Sequence, residues 1–155
     1  MSKKYFSNIV TLEDVREQFL AHLATTKKPS KAFFEQYLEN ANKFKSAHIS
    51  MAGKLYQKEA KTSADDFAMM VLTIKNMDGV KLELVGRYLW ASGKTYNFKA
   101  ELKKYGFIWN RKRNCWMWED LGNGKGLKSE LDTASLKSKY GARTVYDNTE
   151  DKKSA

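Results

Sequence analysis

The sequence predicts an α+β protein: an N-terminal helical hairpin followed by a small β-β-α-β-β unit. Two observations carry this. Apolar residues recur at helical spacing through the first 75 or so positions, and from Val80 onward the period shortens to the alternation of a strand. The four tryptophans, Trp90, Trp109, Trp116 and Trp118, all fall in residues 79–118, so the two halves differ in character as well as in period.

The elements follow in order. Thr11 is an N-cap with Asp14 as the capping-box acid, and Leu12, Val15, Phe19, Leu20 and Leu23 form the apolar stripe of a first helix that fades at Thr25-Thr26. Lys27-Lys28-Pro29 breaks the chain, and Ser30 caps a second helix whose stripe is Phe33, Phe34, Tyr37, Leu38, Ala41 and Phe44. The short connection predicts an antiparallel pair. Residues 47–61 are ambiguous, with a helix expected from about Met51 to Ala60 and weakened by Gly53. Ser63 and Asp66 cap a further helix carrying Phe67, Met70, Val71 and Ile74, which stops at Asn76-Met77-Asp78-Gly79.

In the second half, Val80 to Val85 and Tyr88 to Ala91 read as strands. Ser92-Gly93-Lys94 turns the chain. Phe98, Leu102 and Tyr105 suit a helix of about Asn97 to Lys104, closed by Gly106. Phe107 to Asn110 and Cys115 to Trp118 are strands around a basic turn, Arg111-Lys112-Arg113-Asn114. Gly122, Gly124 and Gly126 mark a flexible loop without the spacing of a phosphate-binding loop. Ser135 to Tyr140 is a last helix ended by Gly141, and 147–155 is a polar tail expected to be disordered. The expected divisions are thus 1–77, 78–146 and 147–155.

Composition excludes several classes. At 155 residues with 42% hydrophobic and 30% charged side chains, the chain buries a core and is too short for a large enzyme. No apolar run approaches the roughly 20 residues of a membrane span, and no stretch resembles a secretory signal, so the expected location is the cytoplasm. The single cysteine, Cys115, and two histidines, His22 and His48, supply neither an internal disulfide nor a zinc ligand set, so no metal and no cofactor are expected. No nucleophile pairs with either histidine, and the reading is non-enzymatic.

Charge is the informative quantity. The chain carries 28 basic and 18 acidic residues, a net of +10, which steers it toward polyanions. Residues 79–118 alone hold nine basic side chains against Glu83 and Glu101. Cations along a track with aromatic rings between them are what a single-stranded nucleic acid requires, phosphates meeting the cations and bases stacking on the rings. The candidate contacts, with nucleic acid or a nucleoprotein partner, are Lys94, Lys99, Lys103, Lys104, Arg111, Lys112 and Arg113, with Trp90 and Trp118 partly exposed. Trp109 and Trp116 are assigned to the core.

The run "YFSN-x-x-TLEDVREQFLAHL", a proline loop and a second helix together resemble the J-domain of DnaJ-type co-chaperones. The segment from Gly79 to Trp118, followed by "LKSKYGARTV", is similar to the C-terminal module of small phage and plasmid DnaJ-like proteins. The pattern rests on Trp90, Ser92-Gly93, Thr95, Lys99, Leu102-Lys103, Gly106-Phe107, Trp109, Lys112, Trp116 and Trp118. The resemblance covers roughly Tyr5 to Val145. It implies a protein of a mobile element whose 1–77 region is J-like. A J-domain stimulates its chaperone partner through a His-Pro-Asp tripeptide in this loop; here the loop reads Lys28-Pro29-Ser30, so that activity is not carried over and a chaperone partner is not expected. A degenerate co-chaperone is one alternative. Another is a phage inhibitor of a host defence complex, anti-CRISPR-like, acting on the effector or on its guide RNA or DNA channel.

Overall fold

A computed structural model describes residues 3–49, 55–58, 62–86, 88–119 and 131–149. The fold is α+β, with helices leading and an antiparallel sheet following. The chain forms two compact units, 1–68 and 69–155, divided inside the third helix.

In the first unit, α1 (Leu12–Thr25) and α2 (Lys31–Lys43) form the expected hairpin. Local chemistry sets their starts. The Asp14 carboxylate accepts from the Thr11 N–H while Thr11 Oγ1 accepts from Asp14 N, and Ser30 Oγ accepts from Phe33 N. The shared stripe is aromatic: Phe19 stacks on Tyr37 at 4.0 Å between centroids and on Phe33 at 5.6 Å. The extended N-terminal segment is pinned by two glutamines. Gln18 donates to Ser7 O and accepts from Ser7 N, and Gln36 does the same for Lys3 O and Tyr5 N. His22 packs its ring 4.0 Å from Phe33; burial, with the Lys3 ammonium nearby, holds its pKa below the ordinary value.

The helix expected from Met51 to Ala60 is not formed. Of that stretch residues 55–58 are described, and they are a strand, β2 (Leu55–Lys58), paired antiparallel with β1 (Ser46–Ile49). Ile49 and Tyr56 favour extended backbone and Gly53 disfavours helix, so the pairing of two short segments outweighs a weak local propensity. Then α3 (Ala64–Lys75) begins as expected, with Ser63 Oγ accepting from Asp66 N.

The second unit is a five-stranded sheet in the order β5-β6-β4-β3-β7, all neighbours antiparallel. Strands β3 (Val80–Val85) and β4 (Tyr88–Gly93) form the first hairpin. A 3-10 turn over Tyr96–Phe98 leads into α4 (Lys99–Lys104), then β5 (Ile108–Asn110) and β6 (Cys115–Trp118). The helix α5 (Thr133–Tyr140) is capped by Asp132, whose carboxylate accepts from Ser135 N. The last strand, β7 (Ala142–Asp147), was not expected. It pairs with β3, with a bulge that leaves Val145 as the extra residue.

The ordered chain therefore extends beyond 146. Asn148 donates its side-chain amide to Lys75 O and Met77 O and its backbone N–H to Val80 O, so the tail assignment fails for 147–149. Residues 150–155 and the glycine loop at 122–126 lie outside the described residues.

Both sheet faces are covered. On one, Val85, Trp90, Cys115 and Met117 cluster with Leu136 of α5. The other carries Val80, Leu82, Leu89, Ala91, Trp116 and Trp118, all buried; Leu102 of α4 and Met70, Val71 and Ile74 of α3 are buried too. Burial, with Glu83 nearby and against the opposing pull of Lys137 and Arg113, pushes the Cys115 thiol up to about 12. The fold thus stabilises the neutral thiol. That contribution is intact below the ordinary thiol value of 9.0 and is lost as pH rises from there through about 12. Iodoacetamide at pH near 8 is expected to leave Cys115 unmodified in the native protein and to alkylate it after unfolding in guanidinium, as read by mass spectrometry. Rapid native-state labelling would show the thiol to be accessible.

Candidate functional site

The cations of 94–113 are placed by three local devices. At the end of β4, Gly93 has φ +90°, and a Cβ there would stand 2.4 Å from Gly79 O. This close approach lets Lys94 N donate to Gly79 O and lays the Lys94 stem over Gly79. Next, α4 ends in a Schellman motif: Gly106 N donates to Lys103 O and Phe107 N to Leu102 O, with Gly106 at φ +97°. Leu102 and Phe107 are both buried, which fixes where β5 departs. Finally, the β5–β6 turn is closed by the Asn110 side chain, which accepts from Arg113 N, and by Asn114 in the left-handed region.

The consequence is a cationic edge. Among the described residues, strand β5 has one neighbour, β6. Its three residues span about 10 Å. Lys103 and Lys104, on the last turn of α4, precede it by five and four residues, and Arg111 and Lys112 follow it directly. Lys94, Lys99, Lys103, Lys104, Arg111 and Lys112 are all exposed. Arg113 differs: it is half-buried and donates from Nη1 to Thr133 Oγ1 at 3.2 Å, tying the turn to the start of α5.

Three of the four tryptophan assignments are reversed. Trp90 is 2% and Trp118 5% exposed, so the partial exposure expected of them is absent. Their strands, β4 and β6, are interior, and both faces are covered. Trp90 lies in the α5-side cluster with the Lys137 ammonium 5.4 Å from its ring, and Trp118 lies under the α4 terminus, 3.6 Å from where a Gly106 Cβ would be. Trp109, assigned to the core, is 43% exposed because β5 is an edge strand. Trp116 is buried as expected.

The sequence reading also missed Tyr96, the most exposed aromatic side chain among the described residues at 76%. Its only signal is position, directly after the Gly93-Lys94-Thr95 turn and between polar neighbours. Among the described residues, no three His, Cys, Asp or Glu side chains gather as a metal site would require, and no helix is long and apolar enough to cross a membrane. The arrangement is that of an α+β protein in which the segment from Lys94 to Lys112 presents exposed cations and the exposed rings of Tyr96 and Trp109. No family model, curated protein or solved structure matches the chain.

Proposed function

We propose that this is a non-enzymatic nucleic-acid-binding protein, contacting a polyanionic backbone along the β5 edge. The observation that carries it is the run from Lys94 to Lys112, in which six exposed cations face a single acidic residue, Glu101. Separated cations on a short helix and two turns suit a phosphate backbone, and each contact releases condensed counterions. The buried, raised Cys115 thiol and the low-pKa His22 packed on Phe33 give no support to nucleophilic or base chemistry. A mobile-element origin rests on the sequence resemblance, and the host cytoplasm is the corresponding location.

The test is a titration of the full chain with labelled oligonucleotides between about 50 and about 200 mM salt. With four to six contacts, log affinity should fall against log salt with a slope of about −3 to −5. No binding at low salt, or binding insensitive to salt, would refute the proposal.

A further inference from the structure

Resting on that nucleic-acid reading, we infer that Trp109 and Tyr96 form a base-stacking platform that makes the β5 edge selective for single strands over duplexes. The two rings belong to one chain of contacts. Trp109 meets Trp116 edge-on, centroids 5.5 Å apart and planes at 62°. The Trp116 indole, buried beneath it, donates from Nε1 to Thr95 Oγ1 at 3.2 Å. Thr95 is itself buried and leads directly into Tyr96. The Lys99 ammonium stands 4.3 Å from the centroid of the Tyr96 ring.

Trp109 is therefore backed by a buried ring, so little of its side-chain freedom is lost when a base stacks on it, while the more exposed Tyr96 ring is accompanied by the Lys99 ammonium. A lone exposed aromatic is ordinary. Two of them, joined through buried Trp116 and Thr95 and accompanied by the exposed Lys94, Lys99, Lys103, Lys104, Arg111 and Lys112, suit one occupant by charge and by their flat exposed faces. A single strand offers phosphates at backbone spacing and unpaired base faces together. A duplex offers the same phosphates but keeps its base faces stacked inside, so it uses the cations and not the rings.

The test compares a thymidine oligonucleotide of about 20 residues with a duplex of equal length, binding the full chain at low salt. Trp109→Ala and Tyr96→Ala should each weaken single-strand binding about fivefold or more, with duplex affinity changing less than about twofold. Trp109→Phe and Tyr96→Phe, which keep a flat ring, should stay within about twofold of the parent. Tyr96 is so exposed that its alanine variant should keep the fold even if Trp109→Ala disturbs β5. Alanine variants that lose nothing, or that lose equally on both oligonucleotides, overturn the inference and leave the nucleic-acid reading standing. A parent protein that binds neither oligonucleotide overturns that reading, and the inference with it.

Discussion

Replacing Lys99, Lys103, Lys104, Arg111 and Lys112 together by glutamine is expected to weaken nucleic-acid binding at least about a hundredfold at low salt. It should also flatten the dependence of log affinity on log salt by about 3 to 4, at about 0.7 per contact to a single strand. All five side chains are exposed, so the change removes charge without opening the core. Lys103 and Lys104 lie in the last turn of α4, where each cation contributes about 0.3–1 kcal/mol against the helix dipole. Circular dichroism and a thermal melt would measure that cost separately. Arg113 is left in place because its guanidinium bonds Thr133. Lys94 is left because its stem covers Gly79. An affinity and salt slope equal to the parent's would show that the edge cations are only solvated surface.

Replacing Lys137 by methionine is expected to destabilise the second unit by about 3 kcal/mol, the low end for breaking a buried pair, because Lys137 is itself partly exposed. Glu83 sits on β3, between β4 and β7, with its side chain only 8% exposed. Lys137 Nζ reaches both of its carboxylate oxygens, at 2.9 and 3.1 Å, while Lys81 is 3.9 Å away. Without Lys137 the carboxylate stays inside the sheet with only the more distant ammonium. The melting midpoint should fall by roughly 10 °C. Adding Glu83→Leu in the same chain should recover most of the loss, since the stranded charge is then gone. A double variant as unstable as the single one would mean that Lys137 acts through packing on Trp90 instead. The consequence reaches the β5–β6 turn, because α5 also anchors it through Thr133 and Arg113.

What the sequence determined by itself is what short-range chemistry decides. Helix starts were legible because Thr11, Asp14, Ser30 and Ser63 satisfy backbone groups three residues away. The end of α4 was legible because Gly106 accepts a positive φ. Strands β3 to β6 were legible from alternation, and the cations from composition. Tertiary structure decided what depends on neighbours distant in the chain. Whether 46–49 and 55–58 become strands is settled by the ladder between Ser46–Ile49 and Leu55–Lys58 rather than by either segment's propensity. The strand β7 exists because β3, about 60 residues earlier, offers it an edge. The exposures of Trp90, Trp109 and Trp118 reversed for the same reason. All four sit on strands of similar pattern, but exposure is a property of strand order, which alternation does not encode. The sheet places β4 and β6 inside and β5 at its rim, so Trp90 and Trp118 lose their water on both faces and Trp109 keeps it.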